Sequence, residues 1–391
     1  MKKYITEIKA SPSAVAVEDT VLMAGVPATA GSKMLEKFVP LHDAEVVSRL
    51  KKSGYDVAGK VNVGEFGLDL LGETSYFGCM KDENGKLISA SAAVAKEVKG
   101  VLSVDLNGAP RRGAALSDVL FVKPTYGTVS RYGVIPCACS AEQVGVFSAK
   151  AEDAASILSA VSGHDAKDGT SLPVQKYEYN ANGSVKGLKV CVLKDYVDKA
   201  DDEMKAFIDK AVSKLAEGGA EISYESSNMA DAVGSAWFAM MCAESCNNIS
   251  RYDGVKFGFR AEGYKNIDEL YTKSRSEAFG LLTKTVVLYG SDVLSKNRYF
   301  SCYDKALRVR RKAKEFLDGI FAKYDMILIP PCSKSSYESA TCETVYAETV
   351  FTALASIAGV PAATCNGVQL VADRFNENKL LSAAAHIRGE V

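Results

Sequence analysis

Histidine is scarce in this chain, and that scarcity limits the chemistry that the sequence supports. Among 391 residues there are only three histidines, His42, His164 and His386. A Ser-His-Asp triad, a Cys-His pair or a histidine-ligated metal centre would have to be built from these three. Their sequence surroundings indicate packing, capping or surface roles, so most histidine-based catalysis is poorly supplied.

The cysteines lack the spacing of a metal-binding motif. Ten cysteines are scattered along the chain without a single CxxC, and the nearest pairs are Cys137 with Cys139 and Cys242 with Cys246. Tetrahedral zinc sites usually draw closely spaced pairs from two segments. We therefore expect no metal and no cofactor, and free thiols in a reducing compartment.

The chain also lacks a dominant charge and a long apolar run. Forty-seven Lys and Arg face 48 Asp and Glu, a formal charge of −1, which offers no global field for nucleic acid or an anionic membrane. No stretch approaches the roughly 18 apolar residues of a membrane span, and no apolar segment follows Lys2 and Lys3. We expect a cytoplasmic protein without direct nucleic-acid or membrane contact. The basic run at 307–316 is predicted to be the solvated face of a helix.

What the sequence does contain is the pattern of a globular α/β protein. Hydrophobic residues make up 47% and charged residues 24%, and short β-branched runs alternate with helical periods. This pattern predicts a mixed sheet with helices on both faces. The predicted strands lie at 14–17, 55–60, 101–106, 187–193, 326–330, 360–364 and 368–371. The predicted helices lie at 43–53, 89–99, from Ala151, at 201–217 and 344–358, with a mostly helical stretch at 230–323.

The order of these elements predicts one domain over 1–391 with three parts. Residues 1–177 form the core, and residues 178–323 add a strand and a helical insertion. Residues 324–391 return to the sheet, which makes the middle region an elaboration of the same domain.

Six segments resemble the amidase signature family, in particular its A subunits of glutamyl-tRNA(Gln) and aspartyl-tRNA(Asn) amidotransferases. The segments read GSKMLEKFVP (31–40), GKVNVGEFG (59–67), VKPTYGTVSRYG (122–133), SGHDAKDGTS (162–171), RSEAFG (275–280) and IAGVPA (357–362). They occur in order along nearly the whole chain. The resemblance implies the amidase-signature fold.

The resemblance also implies where catalytic residues belong. The family uses a serine nucleophile, a second serine in a cis peptide and a lysine that relays the proton, because a hydroxyl is a weak nucleophile without a neighbouring base. The matching positions hold Glu18 for the lysine, Gly85 for the second serine, counted 24 residues before the nucleophile, and Ala109 for the nucleophile. The resemblance therefore implies that all three catalytic groups are missing.

Positions that hold the substrate in the family differ as well. The oxyanion turn corresponds to Leu106, Asn107 and Gly108, and the substrate-binding charges fall on Thr285, Val286 and Thr349, with Glu348 as a neighbouring alternative. Residues matching the family's structural positions are retained, namely Asp105, Arg111, Lys123, Pro124, Tyr126, Gly127, Arg131 and Tyr132.

These replacements predict a catalytically inactive amidase-like protein that acts in binding, scaffolding or regulation. Its expected partners are further copies of itself or B- and C-type amidotransferase subunits. The alternative is an amide hydrolase, or an A subunit that hydrolyses glutamine for tRNA-dependent amidation, with Glu18 as the base.

The acidic pair Glu18 and Asp19 fits either a pocket for a cationic ligand or a solvated strand end. Cys79 beside the short 79–84 loop has no evident activating base.

Overall fold

A mixed sheet of eleven strands runs through the part of the chain that the computed structural model describes, residues 2–8, 11–140 and 142–391. The strands are β1 Tyr4–Glu7, β2 Val15–Glu18, β3 Val57–Val61, β4 Met80–Lys81, β5 Leu87–Ile88, β6 Gly100–Asp105, β7 Leu120–Lys123, β8 Gln143–Ser148, β9 Lys189–Leu193, β10 Glu221–Glu225, β11 Met326–Ile329, β12 Ala362–Cys365 and β13 Val368–Ala372. Their order in the sheet is β1-β3-β2-β6-β8-β7-β12-β13-β11-β9-β10, and β4 with β5 forms a separate hairpin.

Helices cover both faces of this sheet, which confirms the predicted fold class. The helices are α1 Glu45–Lys52, α2 Ala90–Val94, α3 Ala109–Ala115, α4 Ala151–Val161, α5 Lys194–Val197, α6 Asp202–Glu217, α7 Ala230–Ile249, α8 Ile267–Ala278, α9 Leu281–Val293, α10 Asp304–Phe321, α11 Cys342–Ala358 and α12 Glu377–Arg388. One hydrophobic core joins the sheet to α1, α4, α6 and α12, and the opposite core joins it to α7, α9, α10 and α11. Among the described residues, no helix has the length and apolarity needed to cross a membrane.

The central strands have apolar side chains on both faces because helices cover both. All four residues of β2 and of β11 are buried, and such strands read as continuous apolar runs. Strands β9 and β10 from the middle of the chain pair in parallel with each other, and β9 pairs in parallel with β11. The strands of this middle region therefore extend the same sheet.

Two of the elements that were not predicted show why local patterns miss them. Strand β1 lies at the sheet edge, antiparallel to β3, and its four residues are too few for a clear alternation. Helix α3 begins where Gly108 adopts a left-handed conformation with φ of 82° and Pro110 follows in the first turn. Its buried residues include Arg111 and Arg112, and these charges obscure the apolar pattern of a buried helix. The predicted 89–99 helix is shorter in the structure, Ala90–Val94, and residues 95–99 form turns and bends before β6 begins at Gly100.

A buried ion pair joins the sheet to the helices around α3. Arg111 donates two hydrogen bonds to Asp105, at 2.7 and 2.9 Å. Its other N–H groups reach the Thr352 carbonyl, the Ser356 hydroxyl and the Gln369 side chain at 2.6 to 2.8 Å. Both charged side chains are fully buried. Since every charge has partners, this network ties β6 and α3 to α11 and β13.

Replacement of Arg111 by methionine should therefore destabilise the fold strongly. Arg111→Met leaves the Asp105 carboxylate buried without its partner, and such losses cost about 3–5 kcal/mol. Urea denaturation should show this decrease, whereas Arg308→Ala, which breaks an exposed ion pair to Asp304, should change stability by less than about 1 kcal/mol. In the double variant with Asp105→Asn, the loss should be smaller than the sum of the single losses; additive losses would contradict a shared network.

Candidate functional site

Glu18 and Ala109 meet where the neighbouring strands β2 and β6 end. Glu18 is the last residue of β2, and Ala109 opens α3 just after β6. Strands β2 and β6 are parallel neighbours, so the segments that follow them emerge at the same edge, where ligands bind in α/β folds. Together with the 62–72 loop and the start of α2, these two residues line a single cavity.

This cavity is very small. Its volume is about 20 Å³, and a cavity of roughly 10–15 Å³ on this measure holds one water molecule. Its lining includes Glu18, Asn62, Asp69, Ser89 and Ser91. The site as it stands therefore has room for one small polar molecule and not for an amino acid.

The carboxyl group of Glu18 is buried and already hydrogen-bonded. Its Oε2 accepts the backbone N–H of Val104 at 2.9 Å and the hydroxyl of Thr20 at 3.1 Å. Burial raises the pKa of Glu18 from 4.5 to about 7, and the nearby carboxylate of Asp69 adds to the increase. At neutral pH Glu18 is thus divided between its protonated and ionised forms.

The neighbouring Asp19 is buried as well and has its own cation. The Lys60 ammonium lies 3.5 Å from its carboxylate, and Asp19 accepts the Thr29 backbone N–H at 2.8 Å. Both acids of the pair are buried, so the expectation of a solvated strand end is wrong. Helices and loops close this edge of the sheet, which the local sequence does not reveal.

The 62–74 loop folds onto its own carboxylates. Asp69 accepts the N–H of Thr74 at 2.9 Å, its hydroxyl at 2.8 Å and the N–H of Gly72 at 3.2 Å. Its carboxylate occupies the space of a side chain at Gly64, where a Cβ would lie 1.8 Å from the Asp69 oxygen. Glu73 accepts two further backbone N–H groups, and burial raises its pKa to about 7. Backbone donors beside the cavity are therefore used within the loop.

Arg112 locks this loop to the turn before α3. Its guanidinium donates to the carbonyl of Asn107 at 2.7 Å, to that of Leu70 at 3.2 Å and to that of Asp69 at 3.4 Å. The side chain is fully buried, which lowers its pKa. Arg112 is not among the candidate residues predicted from the sequence; two adjacent arginines at the start of a buried helix are the signal that marks it.

The turn that precedes Ala109 is occupied by its own contacts. Leu106 is buried in the core. The side chain of Asn107 donates to the Leu68 carbonyl at 3.4 Å and accepts the hydroxyl of Thr349 at 3.2 Å. Gly108 has a left-handed φ of 82°, and a Cβ there would meet Thr352 at about 2.4 Å. The turn thus packs closely against α11.

The remaining candidate residues are not brought together at the cavity. Thr349 contacts the turn, but Val286 is buried in the core, and the Thr285 hydroxyl bonds to the carbonyl of Leu281 at 3.0 Å. Glu348 accepts the Ser333 backbone N–H at 2.8 Å. Gly85 lies in the β4–β5 turn, where its N–H donates to the Asp82 carbonyl at 3.1 Å, and it does not line the cavity.

Ser89, four residues after Gly85, does line the cavity. Its hydroxyl accepts the Ala92 N–H at 3.3 Å as the cap of α2. Cys79 is half-buried and lies outside the lining. The histidines have local contacts: His164 with the Leu172 carbonyl, His386 with the Lys214 carbonyl, and His42 with the ring of Tyr132.

Comparisons with known proteins agree on one family. A family model described as Amidase matches residues 14–381. The glutamyl-tRNA(Gln) amidotransferase A subunit of Agathobacter rectalis is 35% identical over 395 residues, covering 95% of this chain and 78% of that protein. The corresponding protein of Bdellovibrio bacteriovorus is 35% identical over 415 residues, covering 95% and 84%.

A solved structure matches the fold over almost the whole chain. The crystal structure of the glutamyl-tRNA(Gln) amidotransferase A subunit from Thermotoga maritima superposes with a TM-score of 0.82 at 26% identity. The match covers 98% of this chain and 86% of that one. The mixed sheet described above is thus similar to that of a known amidotransferase component.

The raised pKa of Glu18 predicts a pH-dependent stability difference between wild type and Glu18→Gln. The folded protein keeps a proton that the unfolded chain releases between pH 4.5 and about 7, so the contribution of Glu18 to stability decreases as the pH rises through this window. Glutamine does not titrate, and its amide oxygen can accept the same two hydrogen bonds. Between pH 4.5 and 8, the free energy of unfolding of Glu18→Gln should increase by about 3 kcal/mol relative to that of wild type.

Urea denaturation at several pH values measures this difference. Glu152→Gln, which alters an exposed residue in the first turn of α4, is the matched control and should run nearly parallel to wild type. Parallel profiles for Glu18→Gln would contradict the assigned titration of Glu18.

Proposed function

Because the chain belongs to the amidase family, we propose that it is a catalytically inactive member that acts in binding, scaffolding or regulation. The observation that carries this proposal is the cavity shared by Glu18 and Ala109, whose volume of about 20 Å³ leaves no space for a glutamine or comparable amide. A member of the family with so small a cavity is suited to binding or scaffolding through its surface.

The chemistry of the two residues supports the same proposal. Ala109 has no hydroxyl to attack a carbonyl, and the carboxylate of Glu18 would repel the oxyanion that a serine amidase stabilises. The loss of a nucleophile and its base costs roughly six orders of magnitude in turnover in a serine hydrolase. Asp69, which lines the cavity, accepts the N–H of Thr74, and Arg112 donates to the Asn107 carbonyl, so both charged groups are used within the protein.

The partners that we propose follow from the relatives, which are named as subunits of an amidotransferase. This chain would associate with B- and C-type subunits or with further copies of itself. We propose a cytoplasmic protein that contacts neither nucleic acid nor membrane directly; its near-neutral charge supports this.

A second candidate function is an active A subunit or amide hydrolase of altered chemistry. Identity of 35% over 95% of the chain with named A subunits favours it. A pKa of about 7 also suits Glu18 as a general base toward a water molecule in the cavity. In this candidate, opening of the 62–74 loop would have to admit the amide.

Ammonia release from glutamine and from a panel of primary amides distinguishes the two candidates. Highly purified wild-type protein, tested alone and with B- and C-type subunits, should release no ammonia above the level of Glu18→Gln. A serine-directed fluorophosphonate should leave the protein unlabelled, because residue 109 is alanine. The Agathobacter rectalis A subunit is the positive control for both assays.

The result that would overturn inactivity is ammonia release by wild type that Glu18→Gln abolishes while the fold, judged by circular dichroism, is retained. That result would establish the second candidate, with Glu18 as the base. Co-purification with B- and C-type subunits together with no turnover would support a scaffolding role in such a complex.

A further inference from the structure

A larger concavity lies on the outer surface between residues 33–38 and residues 256–262. Its volume is about 730 Å³, within the usual range of small-ligand sites. It shares no lining residue with the cavity at Glu18. We call it the basic groove. The inference drawn from it does not depend on the function proposed above.

The two walls of the basic groove are held together without a ligand. The Phe259 backbone N–H donates to the Met34 carbonyl at 2.8 Å. Gly258 has a φ of 87°, and a Cβ there would lie 2.4 Å from the Met34 sulfur. Met34 itself is buried. The groove is therefore preformed, which reduces the ordering cost of binding.

Positive charge comes from both walls. Lys33 and Lys37 lie on one wall, and Lys256 and Arg260 lie on the other. Among the described residues, none of these four cations forms an ion pair with a carboxylate. Three glutamates, Glu36, Glu262 and Glu277, also line the groove, which leaves a formal charge of +1 there, against −1 for the whole chain.

Aromatic rings lie beside these cations. Phe38 is 39% exposed and Phe257 is 57% exposed. The Lys33 ammonium lies 4.3 Å from the centre of the Phe259 ring, a cation–π distance. Exposed rings next to cations are the combination that binds flat anionic groups, through stacking and charge together.

We propose that the basic groove binds a small anion that carries a flat ring, either a nucleotide or an aromatic carboxylate. The ring would stack on Phe257 or Phe38, and the anionic group would lie among Lys33, Lys37, Lys256 and Arg260. Since the glutamates leave only a small excess of positive charge, the anion alone is held weakly and the ring supplies much of the affinity.

Isothermal titration calorimetry of the full chain tests this proposal with ADP, adenosine, benzoate and inorganic phosphate. At least one of ADP and benzoate should bind saturably with one site per chain, and which of them binds identifies the source of the anion. Adenosine and phosphate should bind at least about tenfold more weakly, because each lacks one of the two groups. Phe257→Ala should weaken the binding ligand by about tenfold.

A charge-reversal variant and its matched control locate the site. Lys256→Glu/Arg260→Glu should weaken binding by more than about tenfold. Arg311→Glu/Lys312→Glu makes the same charge change on the exposed face of α10 and should bind as wild type does. No saturable binding of ADP or benzoate at millimolar concentration would overturn the proposal, as would equal weakening in the two variants. If the reversal variant fails to fold, unchanged binding by Phe257→Ala would overturn it.

Discussion

The buried ion pair between Arg111 and Asp105 is the interaction on which this region of the molecule depends. All of the guanidinium's bonding directions are used, toward Asp105, Thr352, Ser356 and Gln369. In an environment of low dielectric such a network is stable only when every member has a partner. It fixes the start of α3, and with it the places of Ala109 and Arg112.

Beyond this ion pair, the groups around the candidate site form hydrogen bonds with one another. Arg112 binds backbone carbonyls of the 62–74 loop and of the turn before α3, while Asp69 and Glu73 bind the loop's own N–H groups. These donors are directed at protein oxygens, and the remaining space fits about one water molecule.

Much of the fold could be predicted from the sequence, but less of the site. The apolar runs of β2, β6 and β11 predict buried strands because helices cover both faces. Helix α3 was missed because its buried face carries two arginines. Counting residues back from Ala109 leads to Gly85, but the chain between them forms the β4–β5 hairpin and α2, so Ser89 reaches the cavity and Gly85 lies in a turn. The spacing between two residues in a family locates the matching residue in this chain only where the backbone between them follows the same path.

By itself, the sequence determined the α/β class, the family resemblance and the identity of the residues at positions 18 and 109, since these follow from local patterns and motifs. Only the tertiary structure decided that Glu18 and Ala109 share a cavity, that Glu18 and Asp19 are both buried, and that Asp69 fills the space beside Gly64. The physical reason is that burial, pKa and cavity volume depend on contacts between segments far apart in the chain. Such contacts form only when the parallel strands β2 and β6 bring their ends together.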